Sequence, residues 1–212
     1  MASAAMTDLS VAITEPRDRT QQRRPPAAAA RRALVPKKLS RLHRPEGMSL
    51  EAWQRALRRQ FGREQRFLLK NTGGHPLFSE FEVTNPQNWN TYRVVIRGTE
   101  PGNNFCSCPD FATNTLGTCK HIEFTLARLG RTRANRQALA RGFEPPFSEV
   151  YLHYGAQRQA RFRPRADAPA ELTRLAARYF DGGGTLLAEA FAQFEIFLST
   201  AARLDPDLRC YE

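Results

Sequence analysis

The chain has 212 residues, with 32 Lys plus Arg against 21 Asp plus Glu and a formal net charge of +11, enough length for one full domain or two small ones. The basic excess points to a polyanionic partner. No apolar segment follows the first Met and no run of about eighteen apolar residues occurs, so the sequence indicates neither secretion nor membrane spanning and reads as cytoplasmic.

Residues 1–45 contain ten basic and three acidic side chains, only scattered large apolar residues and no aromatic ones. The expectation is a disordered basic tail, because little burial offsets the entropy of ordering. A nucleic-acid-binding arm and a merely solvated segment are both open readings of it. Ser49 is placed to cap a helix in which Leu50, Trp53, Leu57 and Phe61 recur at helical spacing, with Gly62 as its stop. Half-buried strands follow around Phe67–Lys70, Phe81–Thr84 and Tyr92–Arg97. Alternation in the last puts Tyr92, Val94 and Ile96 on one face and Arg93 and Arg97 on the other. The turn-rich stretch from Gly98 to Asn104 folds Phe105–Cys108 back along Tyr92–Ile96.

A loop from Pro109 to Gly117 leads to a helix carrying Ile122, Leu126 and Leu129, with Gly130 as a left-handed cap. Beyond it lie Arg131, Arg133, Arg136 and Arg141, then Pro145-Pro146 and a hairpin from Glu149 to Phe162. Two helices end the chain, about Pro169–Tyr179 and Leu186–Leu204, separated by Asp181-Gly182-Gly183-Gly184. The last is apolar nearly all round, through Leu186, Leu187, Phe191, Phe194, Ile196, Phe197 and Leu198. It reads either as the edge of a truncated lobe or as a helix fully buried within it. The fold class is α+β: a small zinc-stapled hairpin-helix unit with extra strands, then a mixed hairpin and two-helix lobe. The expected domains are 46–144, with a zinc core at 92–129, and 145–212.

Reduced cytosolic thiols are metal ligands or buried hydrophobes before they are disulfides. Three of the four cysteines fall within fourteen residues and are joined by one of the four histidines, as Cys106-Ser107-Cys108 and Cys119-Lys120-His121. Three thiolates and one imidazole form the ligand set of a closed tetrahedral Zn2+ site. Strand alternation lets Cys106 and Cys108 point the same way. Cys119 and His121 must straddle a helix start, because positions i and i+2 do not share a helical face. The positive helix end favours the thiolate there. Any one of these residues taken singly reads more simply as a buried core residue; the cluster does not.

These residues resemble the SWIM zinc finger, a CxCx(n)CxH pattern on a strand-hairpin-helix unit. The likeness spans roughly residues 92–129, on Cys106-Ser107-Cys108-Pro109-Asp110-Phe111 and Cys119-Lys120-His121-Ile122. With Thr113–Thr118, Glu149–Leu152 and Arg178–Asp181, the chain from about Arg66 onward resembles the N-terminal region of bacterial SWI/SNF-type DEAD/DEAH-box helicases. The resemblance implies an accessory role beside a DNA helicase or ATPase. It does not carry ATP hydrolysis over, because there is no GxxxxGK[ST] loop; Gly182–Gly184 lacks the following Lys-Ser/Thr and reads as an interhelical turn.

Two functions follow. One is contact with nucleic acid, DNA in preference to RNA, through Lys120, Arg128, Arg131, Arg133 and Arg136, with Arg93 and Arg97 on the outer strand face. Each arginine alone reads as solvated charge, so the expectation rests on the cluster. The other is a protein-interaction adaptor whose apolar last helix docks a SWI/SNF-type ATPase or another protein. An enzyme is not expected: four protein ligands leave no position for water, and no catalytic spacing links His153, Cys210, His43 or His75. No membrane partner is indicated.

Overall fold

The computed structural model describes residues 38–211; the expected disordered tail falls, over residues 1–37, outside the described residues. From Lys38 onward the chain forms one compact unit. It is α+β, with two sheets and two apolar cores.

Helix α1 (Leu50–Glu64) starts where the sequence places it: Ser49 is extended and its hydroxyl accepts from the Ala52 N–H. It does not stop at Gly62. That residue is buried inside the helix, and a Cβ there would stand 2.7 Å from the Lys120 carbonyl and 2.8 Å from the Phe124 nitrogen. The glycine therefore lets a second helix lie against α1. Lys38 pairs with Glu64 (2.8 Å), and the Leu39 N–H reaches the Gln60 amide (2.7 Å). The final residues of the expected tail thus lie along α1.

Strands β1 (Leu68–Asn71), β2 (Glu80–Thr84), β3 (Thr91–Val95) and β4 (Phe105–Cys106) form an antiparallel sheet in chain order. Val94 pairs with Cys106 and Val95 with Phe105, as the hairpin reading requires. At the β2–β3 turn Trp89 takes φ 58° and is 72% exposed. A bulky side chain adopts this backbone only when its surroundings impose it. The Trp89 N–H donates to the Asn85 carbonyl (2.8 Å), and the Asn90 N–H to the Asn88 side chain (3.1 Å).

The connection after β4 is not all loop. Pro109–Thr113 form a short helix, α2, with proline at its start, followed by α3 (Lys120–Leu129). Gly130 ends α3 at φ −77°, not in a left-handed cap. The basic stretch is itself a helix, α4 (Arg133–Arg141), capped by Thr132, whose hydroxyl accepts from the Asn135 N–H.

The second sheet has the order β6–β5–β7. Strands β5 (Glu149–Tyr154) and β6 (Arg158–Arg163) are the expected hairpin, and β7 (Arg209–Cys210) pairs parallel to β5. Helix α5 (Ala170–Ala176) begins after Pro169, and a 3-10 turn (Ala188–Gln193) precedes α6 (Phe194–Leu204). Asp181–Gly184 is a turn, its Asp181 carboxylate accepting from the Gly183 and Thr185 N–H groups. Phe197 and Ala201 of α6 are fully buried, while Phe191 and Ile196 stay exposed. No helix among the described residues is long and apolar enough to cross a membrane.

The two sheets meet through Gly102, at φ 93°, and Gly117, at φ 69°. The Gly102 N–H donates to the Gly117 carbonyl (2.9 Å), and the Gly102 carbonyl accepts from the Tyr154 N–H (2.8 Å). A Cβ on Gly102 would stand 2.5 Å from the His153 Nε2 atom. Both positive φ and close approach thus require glycine here.

Candidate metal centre

Strand β4 contributes Cys106, and Cys108 follows as the N-cap of α2, accepting from the Phe111 N–H (3.4 Å). Cys119 is extended at φ −147° and caps α3, while His121 lies in its first turn. The pair therefore straddles the helix start. The four ligand atoms lie within 4.8 Å of one another and all four residues are buried, a group that could hold a metal ion. The His121 Nδ1 atom is 3.7 Å from the Cys106 sulfur and 4.0 Å from that of Cys119.

Two helix N-termini, α2 and α3, thus open at the cluster and direct backbone N–H dipoles toward it. The thiols respond to one another. The hydrogen bond with Cys108 pushes Cys106 far above the usual thiol range, and the same contact holds Cys108 far below it. Burial pushes Cys119 up. Three adjacent buried thiols cannot all ionise against each other's charge, and a cation removes that conflict.

Surrounding residues fix this geometry. The His121 ring packs against Tyr92 (centroids 4.7 Å) and Phe67 (5.3 Å). Arg58 on α1 clamps Asp110 of α2 with two bonds, 2.6 and 3.1 Å. Glu123 is buried and takes bonds from the Thr118 hydroxyl (3.0 Å) and Arg59 (3.3 Å), which anchors the start of α3. Helix α1, expected only as a flanking element, is the clamp on both ligand-bearing helices.

The expected nucleic-acid residues divide. Arg128, Arg131, Arg133 and Arg136 are exposed, and none forms an ion pair among the described residues. Arg136 is braced by the Gly130 and Arg131 carbonyls (3.0 and 3.1 Å). Lys120 is half-buried over the rings of Phe61 and Phe67. Arg93 is exposed, pairs with Glu80 (3.3 Å) and lies over Phe105. Arg97 is not on an outer face: it is 5% exposed and paired with Glu149 of β5 (3.9 Å). Alternation fails there because the residues after β3 run beneath the second sheet, and every residue from Val94 to Gly98 is buried.

Sequence reasoning misses Arg59 and Arg63. With Arg136 they line a groove of about 580 Å³ between α1, α3 and α4. Their i, i+4 spacing on the polar side of α1 is the available signal. His43 and His75 lie outside the cluster, and Cys210 is a free exposed thiol on β7. Compared with family models, curated proteins and solved structures, the chain matches none.

Proposed function

We propose that this chain is a structural zinc module that contacts nucleic acid along the α1–α3–α4 groove, accessory to a DNA helicase or ATPase. The observation that carries the reading is the basic groove built on the helix that the metal centre starts. Arg59, Arg63 and Arg136 line it together with Glu123, which pairs with Arg59, and the exposed Arg128, Arg131 and Arg133 on α3, α4 and their connection carry charges free of carboxylate partners among the described residues. Such charge gives phosphate affinity without base specificity.

Zinc is the metal that the donors favour: three thiolates and an imidazole are its usual closed set. With Zn–S near 2.3 Å and Zn–N near 2.0 Å, tetrahedral neighbours stand about 3.6 Å apart. The Cys106–His121 separation of 3.7 Å suits that spacing. Four protein ligands leave no open position for a reacting water, which supports a non-enzymatic role. The SWIM resemblance of residues 92–129 points the same way.

The test is a titration of the zinc-loaded full chain against labelled duplex and single-stranded DNA at several salt concentrations, beside an Arg131→Ala/Arg133→Ala/Arg136→Ala variant. The tail is common to both, so the difference reports on the fold. Every phosphate that a removed arginine had neutralised lowers the slope of log affinity against log salt by about 0.7–0.9. The expected result is weaker binding and a slope reduced by about two to three. Unchanged affinity and slope remove this surface. A second reading, an adaptor docking a motor domain or other protein partner, draws on Phe191 and Ile196, which are 73% and 58% exposed. It predicts self-association of the isolated chain that Phe191→Ser/Ile196→Ser abolishes.

A further inference from the structure

A second concave site lies away from the metal centre, where the β1–β2 loop, the end of β3, the segment before β5 and β7 come together. Its volume is about 450 Å³, within the usual range for small-molecule sites. Aromatic rings run along it: Phe78 meets Phe143 (centroids 5.2 Å), Phe143 meets Phe147 (6.4 Å) and Phe147 meets Tyr211 (6.5 Å). His75 adjoins Phe78 (5.5 Å). Its Nδ1 atom accepts from the Leu77 and Phe78 N–H groups, which leaves the proton on Nε2 as a donor.

Arg97 and Glu149 also line the cleft. Their side chains are 4% and 1% exposed, 3.9 Å apart, and each keeps one atom without a hydrogen-bond partner: Arg97 Nη1, a donor, and Glu149 Oε2, an acceptor. Arg163 engages the other Glu149 oxygen, Oε1. Oε2 faces Arg97 Nε across the 3.9 Å of the ion pair, beyond hydrogen-bond distance, so both groups keep unmet hydrogen-bonding capacity that a ligand offering the complementary pair would satisfy. At the rim Arg209 lies 3.8 Å above the Phe147 ring. Arg97 and Arg209 line the cleft with Glu149 and Glu80, but both carboxylates are engaged from outside the lining as well, Glu149 by Arg163 and Glu80 by Arg93, which leaves the surplus charge positive, with Arg209 at the rim. A cationic ligand is therefore disfavoured despite the aromatic walls, and an anionic one is favoured.

We infer that this cleft binds a nucleotide whose base carries a carbonyl beside a ring N–H, as guanine and uracil do. The base stacks along the Phe78–Phe143–Phe147 rings, its carbonyl accepts from Arg97, its ring N–H donates to Glu149, and the phosphate meets Arg209. Stacking alone tolerates any base; the Arg97–Glu149 edge supplies discrimination. A guanidinium favours a carbonyl oxygen, and a carboxylate favours the acidic imide-type N–H. The nucleotide is free or is one unpaired residue of a strand, with the same interactions in either case. The site owes nothing to the α4 arginines, so it stands or falls separately from the groove.

The test is isothermal titration of the metal-loaded full chain with GMP, UMP, AMP and CMP at near-physiological salt. GMP and UMP are expected to bind about tenfold or more tightly than AMP and CMP. Arg97→Gln abolishes that preference. Arg209→Ala, at an exposed rim position that does not depend on the buried pair, weakens GMP about tenfold. Absence of saturable mononucleotide binding, or equal affinity for all four, overturns the inference. Competition with GMP by an oligoadenylate strand holding one guanine identifies the strand as the source; GMP binding without such competition identifies the free nucleotide. Unaltered GMP affinity in the Arg131/Arg133/Arg136 triple-alanine variant keeps the cleft distinct from the groove. Strand binding that GMP neither accompanies nor displaces leaves the groove reading intact and ends this one.

Discussion

The half built on the β1–β4 sheet and the half built on the β6–β5–β7 sheet both bury apolar cores, but the first core includes Cys106, Cys108 and Cys119 and the second, among the described residues, includes no cysteine. Around the second, Phe197 touches Phe162, Tyr179, Phe180 and Phe194, with ring centroids 4.9–6.2 Å apart. One half encloses an ionisable cluster that could hold a metal ion, whereas the other is filled by apolar side chains. The expectation is that stability in a single compact unit depends on metal occupancy at one end and on packing at the other.

The sharpest way to break that contrast is to remove the metal. Structural zinc contributes on the order of 10 kcal/mol of apparent folding energy, so a strong chelator, or Cys119→Ser, should strip hydrogen-exchange protection from the α3 amides while α6 keeps its own. Loss of both at one chelator concentration would mean that the halves fold only together. The converse is Phe197→Ala, which should cost about 3–5 kcal/mol in the second half and leave metal content per chain unchanged by elemental analysis. The smallest effect lies at the seam. Burial and neighbouring Arg161 lower the His153 pKa from 6.5. Below that value the unfolded chain gains a proton that the folded chain resists, so stability falls as pH drops through about 6.5 and below. His153→Gln should flatten thermal stability between pH 5 and 7 relative to the parent chain, and an unaltered profile would remove His153 as the source of acid sensitivity.

What the sequence discloses is what is local. Ser49 and the residues after it announce α1, and the β3–β4 hairpin and all four ligands lie within a short span whose spacing has few geometric solutions. The short α2 escapes pattern reading because Pro109–Thr113 is barely one turn. Helix α4 escapes it because its arginines read as a charge run, although Thr132 is a good cap. Gly62 reads as a stop because its neighbour in space, the start of α3, is remote in sequence. Arg97 reads as solvated because alternation describes one isolated strand, not a strand end covered by another sheet. The aromatic cleft draws on several separated segments, none with a motif of its own.

The parallel pairing of β7 with β5 also has a kinetic side. The first sheet joins strands in chain order, each beside its predecessor, whereas Arg209 must cross a long loop to reach Glu149. Local pairings form sooner than those that close long loops, and synthesis favours the earlier segments further. The ligand cluster therefore assembles before the last wall of the cleft arrives with Arg209 and Tyr211. A chain caught midway through folding would already have the cluster that could hold a metal ion, while the aromatic cleft still lies open on one side.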